Sequence, residues 1–355
     1  MRRTIELGLL YSRSGPYVLT SEACRKGALA AIAAVNADPD RDLSFVPVER
    51  DPAGNPDHYG TLCAEILRDS AARHVIGCIT SWSRKEVIPV LERHGGTLWY
   101  ASPYEGFEAS DHVIYTHACP NQHLLPLLAW ALPAFGTRVW LTGSNYIWGW
   151  EINRLARETV TAAGGEILGE RHLPIGSRDV GRLIAEIRHA RPDFILNSLI
   201  GPSSYDFLAA YADLVAEDPA FRTRPVLSCN LTEAELPAIG TAAEGLISAG
   251  PYFRTGPQDR FDSSLEAAAF AAVTELARLL AHRPGAEDAR LPDLLAAAPP
   301  GIIDRKTHHT TLPVLIAMVR DGAFRVIAAQ EAVAGDPYLT GRITPPSRPV
   351  LRVVS

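Results

Sequence analysis

The sequence predicts an α/β protein with parallel sheets covered by helices on both faces, and three features carry that prediction. Short β-branched or apolar runs alternate with amphipathic stretches of roughly 10–15 residues, the pattern of repeated βαβ units. The first such run, Leu7-Gly-Leu-Leu-Tyr11, is nearly all apolar, as a strand buried on both faces should be. Helix punctuation agrees: Gly164-Gly165 closes one helical pattern just before the next strand begins.

Taken in order, strands are expected over 4–11, 44–49, 74–79, 97–101, 139–142, 166–172, 194–199, 226–229 and 246–252. Helical patterns fall between them over 21–36, 57–68, 84–93, 123–134, 150–163, 180–189, 205–214 and 261–282. Ser83-Arg-Lys-Glu86 fits a capping box at the start of the helix that follows Ile79. Leu315–Arg320, Asp321-Gly322 and Phe324–Gln330 read as a strand, a type I′-like turn and a strand, an antiparallel hairpin. So many strands exceed one open sheet of ordinary size, and breaks fall near Cys119-Pro-Asn121 and over 251–257. No internal repeat is visible, and low complexity is confined to the proline-rich end, Pro345-Pro346-Ser-Arg-Pro349.

At 355 residues and 47% hydrophobic content the chain is long enough for two lobes with separate cores. Its 34 Lys+Arg and 40 Asp+Glu form no long run of either sign, which argues against nucleic acid as a direct partner. No stretch approaches the roughly 20 apolar residues that would insert in a bilayer. Arg2-Arg3 is followed directly by strand-like sequence and not by an apolar leader core, so a cytoplasmic location is expected, or a periplasmic one if a leader has been removed. The five cysteines (Cys24, Cys63, Cys78, Cys119, Cys229) are odd in number and scattered, which suits buried structural thiols better than zinc or a disulfide framework.

Chemistry-bearing motifs are scarce. After the first strand the chain reads Ser12-Arg-Ser-Gly-Pro16, neither a dinucleotide fingerprint nor a P-loop, and there is no G-x-S-x-G and no H-E-x-x-H. His308-His309 is an adjacent pair whose side chains would leave a strand on opposite faces, which disfavours joint metal ligation. No cofactor and no metal are expected. The serines of the candidate loops have no histidine beside them to serve as a base, and His172 has no evident partner, so the chain reads as a binder and not an enzyme.

In open α/β sheets, ligands sit beyond the carboxyl ends of the strands, near helix N-termini. Those positions hold Thr80-Ser81-Trp82-Ser83, Ser102-Pro103-Tyr104-Glu105, Gly143-Ser-Asn-Tyr146-Ile-Trp148, Ile200-Gly201-Pro202-Ser203 and Asn230-Leu-Thr232-Glu233. Hydroxyls, aromatic walls and free N–H groups with few charges suit a small flat ligand. Ser83 reads better as a helix cap, whereas Ser81 and Tyr146 read as ligand contacts.

At these loops the chain resembles the amide- and urea-binding branch of the type I periplasmic binding proteins, in particular the cytoplasmic amide sensors that negatively regulate bacterial amidase operons. The residues that carry the likeness are Gly8-Leu-Leu-Tyr-Ser12, Asp51-Pro-x-Gly-x-Pro-Asp57, Gly77-Cys-x-x-Ser81-x-x-Arg-Lys85, Pro103-Tyr-Glu-Gly-Phe-Glu108 and Pro120-Asn-Gln122. Gly143-Ser-x-Tyr-Ile147, Thr232-Glu-Ala-Glu235, Ala249-x-Pro-Tyr-Phe253 and Asp336-Pro-Tyr338 continue it in family order. The resemblance implies the type I periplasmic-binding-protein fold: two Rossmann-like lobes joined by three crossovers, residues 1–120 with 252–325 and residues 121–251 with 326–355, and a ligand cleft between them. It also implies that Ile79, Ser81, Tyr100, Ser102, Tyr104, Tyr146 and Trp148 line the ligand site, with Ile200, Gly201, Thr232 and Glu233 facing them. The amide sensors carry an aromatic in place of Ile79, a tyrosine in place of Trp148 and an aspartate in place of Asn145. Each lost phenol changes a hydrogen bond worth about 1–3 kcal/mol when a buried group is left unpaired, so the ligand's identity is less fixed than its class.

Two functions follow as expectations. One is a sensor of a short aliphatic amide or urea whose lobes close on the ligand and change the affinity for an antiterminator-type regulatory protein. The other is the solute-binding protein of an ABC transporter for amides, urea or branched-chain amino acids, where Glu233 or Glu105 would meet the ammonium of an amino acid; Glu105 reads more readily as orienting its loop. The family likeness also implies self-association as a homo-oligomer.

Overall fold

The computed structural model describes residues 2–343 and 352–353, so the proline-rich end beginning at Pro345 lies outside the described residues. The chain forms two compact units, Met1–Ala118 with Arg260–Thr311 and Cys119–Asp259 with Leu312–Ser355, and therefore passes between them three times.

The first unit opens with β1 (Arg3–Leu10), α1 (Val18–Ala37), β2 (Leu43–Arg50), α2 (His58–Asp69), β3 (His74–Gly77), α3 (Ser81–His94), β4 (Thr97–Tyr100) and β5 (Val113–Tyr115). The second runs through α4 (Leu124–Phe135), β6 (Arg138–Ser144), α5 (Ile147–Ala162), β7 (Glu166–Leu173), α6 (Gly181–Ala190) and β8 (Phe194–Ser198). It continues with α7 (Pro202–Glu217), β9 (Val226–Ser228), α8 (Leu236–Ile239) and β10 (Ile247–Gly250). The chain then returns to the first unit for α9 (Ser264–Leu280) and α10 (Leu291–Ala297), and ends in the second with β11 (Leu312–Arg320), β12 (Ala323–Val333) and β13 (Arg352–Val353).

The first sheet is parallel throughout, in the order β2-β1-β3-β4-β5, and β3 and β4 are buried along their whole length. That accounts for the unbroken apolar runs. The second sheet has eight strands in the order β13-β12-β11-β10-β9-β8-β6-β7. Its β7-β6-β8-β9-β10 portion is parallel and repeats the strand order of the first sheet; β11 to β13 extend it antiparallel. In each unit the chain reverses direction across the sheet at one point, between β1 and β3 and between β6 and β8. Open α/β sheets bind ligands at such switch points.

Three expectations differ from the structure. Residues up to 325 were assigned to the first lobe, yet β11 pairs with β10 and β12 pairs with β11, so the whole hairpin belongs to the second unit's sheet. The expected type I′ turn is present, with Asp321 and Gly322 both at positive φ (53° and 75°). The helix after β3 begins at Ser81, capped by Thr80: its hydroxyl accepts from the Ser83 N–H, and the Ser83 hydroxyl accepts from the Thr80 N–H and donates to the Thr80 carbonyl. The capping box thus sits three residues earlier than Ser83–Glu86, because Ser83 itself fills the third helical position. β5, three residues long, was not anticipated.

One close approach fixes where α5 starts. A Cβ on Gly149 would stand 2.1 Å from the Ser144 carbonyl oxygen and 3.0 Å from its nitrogen, so only glycine lets the first turn of α5 lie against the end of β6. Glycine to alanine inside a helix ordinarily stabilises by about 1 kcal/mol. Gly149→Ala should instead destabilise by roughly 1–3 kcal/mol, as overpacking against backbone does; a urea unfolding midpoint equal to or above wild type would refute this.

Candidate ligand-binding loops

In the first unit the loop after β3 turns sharply. Cys78 adopts positive φ (68°) while its N–H still bonds the Leu10 carbonyl, and Ile79 and Thr80 carry the chain into α3. Ser83 is consumed in capping. Ser81, also buried, donates its hydroxyl hydrogen to Glu105 Oε2 at 2.8 Å. The N–H groups of Ser81 and Trp82 lie in the first helical turn, where no intrahelical acceptor exists.

Behind Ser81 stands a charge cluster that sequence reading did not find. The guanidinium of Arg84 has no exposed surface; it donates to Glu105 Oε1 at 2.7 Å and to Glu108 Oε1 at 2.8 Å. Its carbon lies 4.7 Å from the centre of the Tyr100 ring and 4.8 Å from that of Tyr104, favourable cation–π distances. Lys85 reaches Glu108 at 2.8 Å, and the Tyr115 hydroxyl donates to Glu108 at 2.7 Å. Burial works against the Glu108 charge, but Arg84, Lys85 and Tyr115 outweigh it and hold the carboxyl down at about 2. Tyr104 stacks on Tyr115 at 4.3 Å and Tyr115 on His309 at 4.3 Å, and burial drops His309 to about 4.

This cluster engages the hydroxyls of two residues expected at the ligand site. The Tyr100 hydroxyl donates to the Ile79 carbonyl at 3.1 Å, and the Tyr104 hydroxyl bonds the Glu108 backbone, accepting from its N–H at 2.6 Å and donating to its carbonyl at 3.3 Å. Both phenols therefore brace loops. Ser102, fully buried after β4, has a hydroxyl with no hydrogen-bond partner among the described residues. The linear signal was weak: Arg84 sits in the polar run Ser83-Arg-Lys-Glu86 and reads as a solvated helix face, while its partners lie 21 and 24 positions away.

In the second unit, Tyr146 precedes α5 and Trp148 lies in its first turn, both packed into that unit's core. The Trp148 ring stands 5.9 Å from His123, and its indole N–H has no partner among the described residues. The Ile200 N–H donates to Ser144 Oγ at 3.1 Å, and Gly201 takes φ 57°, ψ −142° ahead of Pro202, which opens α7. Thr232 caps the turn that follows it, and Glu233 Oε1 accepts from the Arg254 N–H at 2.6 Å. Sequence reading missed the buried hydroxyls of Thr142 and Ser198, which, like that of Ser203 in the expected 200–203 loop, lack partners among the described residues. Polar residues ending an apolar strand, as Asn197 and Ser198 end Phe194–Ser198, were the available signal.

Glu235 is fully buried, and desolvation pushes its carboxyl up to about 7 against the opposing hydrogen bonds from the Thr232 N–H and the Tyr205 hydroxyl.

Two α/β units of matching strand order, joined by three chain passages and carrying loops of hydroxyls and aromatics at their switch points, define a binding protein of the type I periplasmic class. The chain belongs to the family of the periplasmic binding protein domain, whose model matches residues 5–280. It is 22% identical over 253 residues to the Leu/Ile/Val-binding protein homolog 6 of Brucella abortus; the match takes in 70% of this chain and 64% of that relative's length. Among solved structures it is similar to a solute-binding protein of an ABC transporter from Rhodopseudomonas palustris in complex with p-hydroxybenzoic acid (TM-score 0.82, 21% identity, 96% of this chain and 100% of that one). It is likewise similar to the branched-chain amino acid transporter substrate-binding protein LivJ from Streptococcus pneumoniae in complex with isoleucine (TM-score 0.75, 16% identity, 93% and 99% of the two chains). Among the described residues no helix is long and apolar enough to cross a membrane.

Two outcomes are expected. Arg84→Met keeps the apolar stem but strands Glu105 and Glu108, and should cost about 3–5 kcal/mol in urea unfolding; a cost under 1 kcal/mol would mean the charges do not depend on one another. Between pH 4.5 and 7 the folded chain keeps a proton on Glu235 that the unfolded chain has released, so stability falls as pH rises through that window and levels off above it. The full effect is roughly 3 kcal/mol, and Glu235→Gln should remove it, read as a flatter dependence of melting temperature on pH.

Proposed function

We propose that the protein is a solute-binding receptor of the ABC-transporter type whose ligand is a small neutral molecule, a short aliphatic amide or urea, with branched-chain amino acids as the neighbouring ligand class. The observation that carries this reading is the placement of the loops. Both units put hydroxyl-bearing and aromatic residues, Ser81 and Ser102 in one, Tyr146 and Trp148 beside the Ile200-Gly201 turn in the other, at or beside the carboxyl ends of parallel strands. Charge is scarce in these loops, and where present it is engaged: Glu105 by Ser81 and Arg84, Glu233 by the Arg254 N–H. The family and the solute-binding neighbours support a receptor; the neutral ligand is argued from the loops.

A second reading, a ligand sensor acting on a regulatory protein, rests on the loop motifs shared with the amide sensors, Pro103-Tyr-Glu-Gly-Phe-Glu108 above all. Fractionation of cells producing the full gene product separates the two: periplasmic recovery supports the receptor, cytoplasmic recovery the sensor.

The direct test is thermal melting against acetamide, propionamide, urea, leucine, isoleucine and 4-hydroxybenzoate. A ligand at a hundredfold excess over its Kd stabilises the folded state by about 2.7 kcal/mol. An upward shift with the amides or urea that Tyr146→Ala abolishes is the expected result. A shift with 4-hydroxybenzoate alone would end the neutral-ligand reading.

A further inference from the structure

We propose that Glu105 fixes the hydrogen-bonding polarity of Ser81, so that the first unit accepts a ligand offering a donor at that point, an amide N–H2 or an ammonium, and rejects a bare carboxylate. The inference rests on the reading above that the loop leading into α3 contacts the ligand.

A serine hydroxyl owns one hydrogen and two acceptor positions. In Ser81 the hydrogen is committed to Glu105 Oε2 at 2.8 Å. Glu105 is itself fixed: it is buried, and its other oxygen accepts from Arg84 Nη2 at 2.7 Å. Arg84 stays protonated under all ordinary conditions, so Glu105 keeps its charge partner. What Ser81 has left to offer a ligand is its acceptor capacity.

A carboxylate has only acceptors. To receive the Ser81 hydrogen it would have to draw it away from Glu105, leaving a buried carboxylate oxygen unpaired. It would also place a second anion one hydroxyl away from Glu105. No net positive charge compensates, because the two cations Arg84 and Lys85 are matched by the two carboxylates Glu105 and Glu108. A primary amide meets the opposite situation. Its N–H2 donates to Ser81 Oγ while its carbonyl accepts from the free first-turn N–H groups of Ser81 and Trp82. Ser81 thus offers an acceptor at its hydroxyl and donors at the first-turn N–H groups, the two kinds of partner a primary amide requires.

The experiment is calorimetric titration of the full chain with matched sets that differ only at the polar end: propionamide, methyl propionate and propionate, and benzamide, methyl benzoate and benzoate. In the wild type, amides should bind at least about tenfold more tightly than the donor-free ester and the carboxylate of the same set. Ser81→Ala, which removes the hydroxyl while Arg84 keeps its contacts with Glu105 and Glu108, should weaken amide binding by about tenfold. Glu105→Gln can turn its own N–H2 toward Ser81 and release the hydroxyl hydrogen, so the amide-to-carboxylate preference should narrow by a similar factor. Ester or carboxylate binding as tight as amide in the wild type, or amide affinity unmoved by Ser81→Ala, overturns the proposal. Should Glu105→Gln fail to fold, the wild-type series and Ser81→Ala still decide. Carboxylate-only binding sinks this inference and leaves the binding loop standing. Binding of none of the six probes removes the loop as a site, and this proposal with it.

Discussion

A guanidinium removed wholly from water has to be surrounded by counter-charge and acceptors, and in the first unit meeting that demand arranges everything around Ser81. Arg84 draws Glu105 and Glu108 to it, Glu108 draws Lys85 and Tyr115, and the rings of Tyr100 and Tyr104 close over the cation. Because these residues come from α3, from β4, from the connection between β4 and β5 and from β5, satisfying one charge ties four segments together. Such a cluster is a doubtful source of net stability, since apolar residues of the same volume often do as well. What it supplies is geometry. An apolar replacement could hold the loops in place but could not hold the Ser81 hydrogen.

The second unit solves the corresponding problem without ions. Around the ends of β6 and β8 it places Thr142, Ser144, Asn197 and Ser198, all fully buried, and it closes part of the network internally: Asn197 donates to Ser204 and accepts from the Leu199 N–H, and Ser144 accepts from the Ile200 N–H. The remainder, Thr142, Ser198 and Ser203, keep hydroxyls without partners among the described residues. Buried polar atoms are nearly always paired with protein, water or ligand. Hydroxyls of this kind can rotate to donate or accept, so this unit is permissive where the first is directional.

How far the sequence could be read follows from the range of the forces involved. Alternation of apolar strand and amphipathic helix is local, and it revealed both sheets; the paired positive φ values at Asp321 and Gly322 come from two adjacent residues, and the hairpin was equally legible. The capping of α3 was misplaced by three residues because Ser83 satisfies two local patterns, as first residue of one box and last of another. β5 was missed because Val113–Tyr115 is too short to show a period. The matching strand orders of the two units left no trace as a repeat, since a buried parallel strand requires only apolar residues and not particular ones. The Arg84 cluster was invisible for a different reason: nothing in a polar stretch of helix marks which arginine will be buried until its partners, more than twenty residues away, are in place. The loop-bracing role of the Tyr100 and Tyr104 hydroxyls was hidden with it.

The same contrast bears on ligand class. Charged ligands are usually met by an unspent opposite charge, and in the first unit the described loops offer little of it, because the ions neutralise one another. Moving a lone carboxylate or ammonium out of water is costly without such a partner. A neutral amide makes no such demand. It needs one acceptor in fixed orientation and a few adaptable polar groups, and fixed orientation is what an ion pair behind a serine provides.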